Sequence, residues 1–290
     1  MEGTEVLHKV EEGSGAVIHP TAIIAPGARI GRGVKVGPWC SVGANVVIDD
    51  DVELISHVVV DGHTRLGVGS RYYPFSTVGM APQDLKYNDE PTRCEVGART
   101  VVREHVTIHR GTATGCGVTH VGDDVLIMAN AHVAHDCQVG NRVIIVNNVV
   151  MGGHVVVEDD ARIMGSAAIH QFVRIGHAAL VGGVAGVEAD VIPYGSVLGN
   201  RARLVGLHWI WLRRHGVSQP EIHQMRRAFL TLYPKGPEEG TFAERLERVR
   251  RDYSSDPRIQ EVLTFIDSPS KRGLVRVARG DYSAAETEGA

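Results

Sequence analysis

Five side chains in one stretch of this sequence have the types and spacing for proton chemistry: His132, His135, Asp136, His154 and His170. A neutral imidazole, with an ordinary pKa near 6.5, can take a proton from a hydroxyl or amine as it attacks a carbonyl, which contributes roughly 10²- to 10⁴-fold in rate. Acyl transfer also needs a hydrogen-bond donor for the oxygen of the tetrahedral intermediate. Gly153 is the candidate, because no Cβ would screen its N–H. No Ser-His-Asp order or nucleophile elbow accompanies these residues, so general-base chemistry fits better than a covalent intermediate. Asp136 can orient an imidazole, and the sequence leaves open whether that ring is His135 or His154.

A repeat gathers these residues. From Ile18 an aliphatic side chain returns at every sixth position, through Ile24, Ile30, Val36, Val42, Ile48, Leu54, Val60 and Leu66. Helices repeat at 3.6 residues and half-buried strands at two, so a six-residue beat describes short flat faces joined by corners, a hexapeptide β-solenoid. The fourth residue after each aliphatic is small or apolar (Ala22, Ala28, Val34, Cys40, Val46), which gives every face a second inward side chain. If three hexapeptides close one triangular coil, residues eighteen apart stack at roughly the 4.8 Å spacing of paired strands. His135, Gly153 and Gln171 then share one column and Asp136, His154 and Phe172 the next, with His132 and His170 beside them. A single histidine at a polar corner is ordinary surface, but four of the fifteen converging on one strip mark a site.

Repeats run from about residue 16 to 194, with external loops near 79–95 and 109–120; the first keeps the beat and the second slips it by one residue. The register is clean from Val121 to Val187 and is expected to end at Pro193. Beyond about residue 200 the periodicity turns helical. Ser218 with Pro220 and Glu221, Thr241 with Glu244, and Asp256 with Pro257 predict three helix starts. The expected organisation is an arm at 1–15, a solenoid over 16–199, a helical domain over 200–278 that caps the open sheet edge, and a disordered tail over 279–290. The 34 glycines fall mostly beside the repeat aliphatics, where corners are expected to need a residue without a Cβ.

Composition narrows the classes. A chain of 290 residues with 43% hydrophobic content can bury a substantial core, and a net charge of −4 gives no broad footprint for nucleic acid. Cys40, Cys94, Cys116 and Cys137 form no C-x-x-C pair and read as reduced thiols. No apolar run approaches the length of a membrane span and the N-terminus lacks a signal core, so a cytoplasmic protein is expected.

The stretches SHVVVDGHT, QDLKYNDEPT, VTIHRGT, NAHVAHDCQVGN, GGHVVVEDD and AIHQFVRIG closely resemble the family of acyl-carrier-protein:UDP-N-acetylglucosamine O-acyltransferases, which begin lipid A synthesis. The resemblance spans roughly residues 16 to 275. It implies a left-handed parallel β-helix with a C-terminal helical domain, although the general crossover rule favours right-handed paths. It further implies a homotrimer with active sites between subunits, a 3-hydroxyacyl donor on acyl carrier protein, UDP-N-acetylglucosamine as acceptor, and neither metal nor cofactor. By matching position, His135 resembles the general base and Gly153 the oxyanion amide. Asp84 and Lys86 match the loop that reaches the sugar nucleotide; His132, His154, His170 and Gln171 match the substrate cleft. Gly183 matches the acyl-chain ruler, where glycine suits longer chains. The segment GNRARLVGLHWIWLRRHGVS departs from the family: His208 stands for the usual nucleotide-binding Asn, Ile210 for an acid, Trp211 for a small residue and His215 for a second Arg, while Arg214 remains a phosphate-binding candidate. An acidic carrier needs a basic landing surface, for which Arg213, Arg214, Arg226, Arg227 and the Arg245 to Arg251 helix are candidates.

Four other readings carry weight. Related enzymes acylate a 3-amino analogue of the same sugar nucleotide with the same base. The later N-acyltransferase of lipid A synthesis carries an added N-terminal domain, for which repeats starting by residue 18 leave no room. A metal-dependent carbonic anhydrase on the same solenoid would use His132, His135 and His154 as ligands. A purely structural solenoid would give the histidine strip no purpose.

Overall fold

The protein is described here by a computed structural model covering residues 15–234 and 240–278, so the expected tail and all but the last residue of the expected arm lie outside the described residues. The hexapeptide beat becomes strands mostly two residues long. Each pairs in parallel with the strand one coil onward: Val17–Ile18 with Lys35–Val36, Ile23–Ile24 with Ser41–Val42, and Arg29–Ile30 with Val47–Ile48. Three ladders of eleven, nine and eight strands result, one for each side of a triangular coil. The second residue of each pair points inward. Val42, Ile48, Leu54 and Val60 are buried, and so are the small inward residues Val34, Cys40, Val46, Val52 and Val58 between the strands.

The two irregularities in the beat are loops thrown from corners. Leu66 pairs with Val96, thirty positions on, because residues 81–92 bulge out between Thr77–Met80 and Arg93–Val96. Val102 pairs with Ile127, twenty-five positions on, because residues 110–117 leave the coil. In both cases the ladder resumes as though nothing intervened. The eighteen-residue step is last kept by Ile169 with Val187; beyond it Ile175 bridges Val191 at sixteen, and parallel pairing continues for one more strand past Pro193. Leu180 pairs in parallel with Ser196, and Gly195–Leu198 then turns back on Arg203–Leu207 in an antiparallel hairpin that closes the longest ladder.

The glycines work differently from the expectation. The left-handed corner positions are mostly held by other residues, among them Trp39, His57, Phe75, Asn130, Asp136, Asn148, His154 and Phe172, with φ between 52 and 66°. The glycines that follow the inward aliphatics are needed because the next coil's backbone passes against them. A Cβ on Gly31 would sit 2.7 Å from the carbonyl carbon of Asp49, and one on Gly37 would collide with the carbonyl of Ile55.

Four helices follow, one more than the sequence signals: α1 Trp209–Arg214, α2 Gln219–Leu232, α3 Phe242–Asp252 and α4 Pro257–Asp267. The three foreseen begin at their signals, with capping boxes at Ser218 and Thr241 and the Asp256 carboxylate accepting from the amides of Arg258 and Ile259. Helix α1 is a single short run whose N-cap, His208, makes no side-chain cap, so it left no signal. Met225 and Ala228 of α2 and Leu263 of α4 join Ile192 and Leu207 of the last coils in one core. The chain then returns: Leu274 bridges to Asp190 and Val277 to Leu204, which covers the final sheet edge. No helix among the described residues is long and apolar enough to cross a membrane.

Candidate active site

The eighteen-residue step places the site. His154 N–H donates to the carbonyl of His135 at 3.0 Å and Phe172 N–H to that of Gly153 at 3.1 Å, so the two columns stack as expected. Asp136, His154 and Phe172 all hold left-handed backbone at one corner. The His154 and Phe172 rings lie parallel at 4.4 Å, and the Lys271 ammonium sits 4.1 Å from the Phe172 ring centre.

The question of which imidazole Asp136 orients has a geometric answer. His135 Nδ1 is 2.8 Å from Asp136 Oδ2, whereas His154 Nδ1 is 3.9 Å away. The Asp136 carboxylate is buried and also accepts from the amide and hydroxyl of Thr112, the latter at 2.7 Å, and from the amide of Gly117 at 3.0 Å. Burial opposes its ionisation, but the Thr112 hydroxyl, His135 and the Thr112 amide outweigh it and hold the carboxyl below its ordinary range. A fixed carboxylate on Nδ1 puts the His135 proton there and leaves the Nε2 lone pair free as a base. Nε2 faces Gly153: a Cβ added to that glycine would lie 2.6 Å from it. The Gly153 amide donates to no group among the described residues.

His135 and Gly153 open onto a cleft of about 520 Å³, which His132 and His170 also line. Burial and the neighbouring His135 hold His132 below the ordinary imidazole range, and its Nδ1 lies 2.6 Å from the Thr107 hydroxyl. Burial likewise lowers His154, whose charge environment includes Asp84, Lys271 and His135. Along the cleft, Val150, Ala168 and Gly186 succeed one another on adjacent strands and form a mainly apolar floor running toward the C-terminal coils.

Other expected site residues stand farther off. Gln83 lines the cleft, while Asp84 and Lys86 sit beyond it on the loop at 81–92, with the Lys86 amide donating to the Asp84 carboxylate at 3.0 Å. Gln171 is exposed at the corner below Phe172. Gly183 lies on the outer corner beside exposed Val184, and a Cβ there would meet only the carbonyl oxygen of Gly165 at 3.5 Å. His208 is buried rather than open to a ligand. Its Nδ1 pairs with the carbonyl of Ala178 at 2.9 Å, and burial holds it below the ordinary imidazole range. Trp211 stacks on His215 with ring centres 4.0 Å apart and packs edge-on against His177, while Arg213 and Arg214 are exposed at the end of α1. Of the proposed basic landing residues, Arg245 turns inward and donates to the carbonyls of Leu232 and Gly240.

The sequence reading missed Thr112 and Thr119, whose hydroxyls hold the Asp136 carboxylate and amide, and it missed His109, a buried member of the cleft. The loop at 110–117 hid Thr112 and His109: across it the stacking step is twenty-five, as in Thr107 on His132, so an eighteen-residue count falls seven short. Thr119 lies past the loop, where His120 pairs with Gln138 at the regular step, and stands one place off the residue that stacks on Asp136.

His135, Asp136 and His154 bring ligand atoms within 4.8 Å of one another, and such a group can in principle hold a metal. The donor set does not fit one, because the Asp136 oxygens are already committed to Thr112, Gly117 and His135, and His132 is tied to Thr107. The arrangement instead has the chemistry for proton transfer: an imidazole held by a carboxylate, beside an amide that donates to no group among the described residues.

Stacked two-residue strands in three ladders, with such a site on one face, define a hexapeptide-repeat transferase built on a left-handed parallel β-helix. Residues 118–153 match the bacterial transferase hexapeptide family, and residues 190–275 match a family described as UDP-N-acetylglucosamine O-acyltransferase, domain 2. The chain is 42% identical to the acyl-[acyl-carrier-protein]–UDP-N-acetylglucosamine O-acyltransferase of Agrobacterium fabrum, over 92% of this chain and 98% of that one. It is 45% identical to the Rhizobium johnstonii protein of the same name, over 91% and 96%. A solved UDP-N-acetylglucosamine O-acyltransferase from Moraxella catarrhalis superposes with a TM-score of 0.84 at 38% identity, covering 89% of this chain and 99% of that one. The chain belongs to the acyl-[acyl-carrier-protein]–UDP-N-acetylglucosamine O-acyltransferase family.

Proposed function

We propose that this protein transfers a 3-hydroxyacyl chain from acyl carrier protein to the 3-hydroxyl of UDP-N-acetylglucosamine, the first step of lipid A synthesis. The observation that carries the reading is the Asp136–His135 pair, 2.8 Å apart, beside Gly153, whose amide donates to no group among the described residues. His135 Nε2 takes the proton of the sugar hydroxyl as its oxygen attacks the thioester carbonyl. The Gly153 N–H stabilises the resulting oxyanion, and collapse expels the carrier's thiolate, which regains the proton from His135. The floor of Val150, Ala168 and Gly186 suits an acyl chain.

The working unit is a homotrimer in the cytoplasm. In support, an exposed ring column runs up one corner, with Trp39 61% and Phe75 51% exposed and His57 and His105 packed on either side of Phe75. Leu85 projects fully exposed from the loop that carries Asp84 and Lys86. Both need covering. Gly183 would then contact a chain bound in a neighbour's cleft, and Arg214 and the segment from His208 would meet the nucleotide of an adjoining subunit.

The deciding experiment measures acyl transfer from 3-hydroxymyristoyl carrier protein to UDP-N-acetylglucosamine and to its 3-amino analogue, with His135→Ala as control. Preference for the hydroxyl acceptor, lost in the variant, is the expected result. Preference for the amine would keep the mechanism and change the product, and transfer to neither would refute the reading.

A further inference from the structure

Inside the cleft stands a residue that the mechanism above does not use. His109 ends the strand Thr107–His109, one coil before His132, and only 6% of its surface is exposed. Its ring meets that of His132 edge-on, with centres 4.8 Å apart. The two ring nitrogens have unequal surroundings. Nδ1 is buried and has no hydrogen-bond partner among the described residues, whereas Nε2 is the nitrogen left to face the cleft that His109 lines.

This asymmetry dictates the proton. A hydrogen on Nδ1 would be a buried donor with nothing to accept it, which costs more than a buried lone pair. Carrying both hydrogens would add a charge beside His132, His135 and Arg110. Burial first, and those three neighbours after it, push the imidazole down to about 4. His109 is therefore neutral at any working pH, with its single hydrogen on Nε2. A donor that stays neutral at working pH brings no charge attraction to a phosphate, so an uncharged oxygen is the partner it suits. We propose that His109 is a substrate-binding residue, whose Nε2–H donates to a carbonyl oxygen of the bound substrate, and not a proton shuttle.

The proposal rests on the acyl-transfer reading. Besides the thioester carbonyl assigned to Gly153, the carbonyls nearest the reacting centre are those of the sugar's acetamido group and of the carrier's pantetheine amides, and the acetamido group is the expected partner. In the full-length protein, ¹⁵N–¹H spectra of the imidazoles should show His109 as the Nε2–H tautomer, unchanged from about pH 8 to about pH 5. His109→Leu should raise KM for UDP-N-acetylglucosamine about two- to tenfold, the range for one neutral hydrogen bond, with kcat and the acid limb of the pH profile unmoved. His109→Gln, which keeps an N–H, should recover most of the loss. If KM rises for the carrier protein instead, the carbonyl belongs to the pantetheine arm and the donor role stands. An Nδ1–H tautomer, titration near pH 6, or a folded His109→Leu enzyme with both KM values unchanged would overturn it. Failure of the wild-type enzyme to transfer any acyl group would count against the reaction alone, since the spectra judge the tautomer independently.

Discussion

At the scale of single residues, the proposed chemistry rests on two neighbours one coil apart, His135 and Gly153. His135→Ala should lower kcat/KM by roughly 10²- to 10⁴-fold with little change in the melting temperature, read by steady-state kinetics alongside calorimetry. Asp136→Asn should also reduce kcat, because an amide in place of the carboxylate no longer fixes the proton on Nδ1. Gly153→Ala tests the amide. Its Cβ would lie 2.5 Å from His135 Cε1, so the ring must move, and kcat should fall by about 10²-fold or more with the fold intact by circular dichroism. An alanine variant of normal activity would remove Gly153 from the mechanism. The proximity of His135, Gly153 and His154 was legible in the sequence because they share the regular stretch after Val121, where neighbours follow from counting. The hydrogen bonds of Thr112 and the burial of His109 were not, since they depend on how the 110–117 loop folds back, and no periodicity encodes that.

At the scale of elements, the coils are held by close backbone approach and the helices by polar links to the last turns. The Gly37→Ala substitution should destabilise the fold by at least 1–3 kcal/mol, measured by urea unfolding, because its methyl has only the Ile55 carbonyl to occupy. That pressure was only half visible in the sequence: the glycines' position after each aliphatic is plain, but their purpose is the neighbouring coil and not the turn. The tie between solenoid and α4 gives a pH test. His177 Nδ1 is 2.7 Å from Glu261, which also accepts from the Tyr194 hydroxyl. The hydrogen bond to Glu261, against the opposing effect of burial, raises His177 above the ordinary imidazole value. Its stabilising share is therefore complete below about pH 6.5 and fades as pH rises through the raised value. For Glu261, burial opposes ionisation, but His177 and Tyr194 prevail and lower it, so its share fades only as pH falls through that lowered value. His177→Gln should flatten the decline of melting temperature between about pH 6 and pH 9; an identical decline in both proteins would show that the pair carries no pH dependence.

At the scale of the whole molecule, the proposed trimer would use the ring column on one corner as its contact. Phe75→Asp, which places a charge between His57 and His105, should convert a sedimenting trimer into monomers and abolish transfer if sites are shared between subunits; an unaltered trimer would place the interface elsewhere. The solenoid's extent was largely readable from its six-residue beat. The hairpin that follows was not, because the pairing of Gly195–Leu198 with Arg203–Leu207 is local and lies outside the repeat. The two corner loops carry a wider meaning. Since thirty or twenty-five residues can stand where eighteen would do while the ladder continues unchanged, the molecule keeps count only of its rungs. Such a chain behaves like a set of links with removable clasps. Links can be spliced in or taken out between the first coil and the site, and cargo hung from a clasp, while His135 and Gly153 remain one link apart.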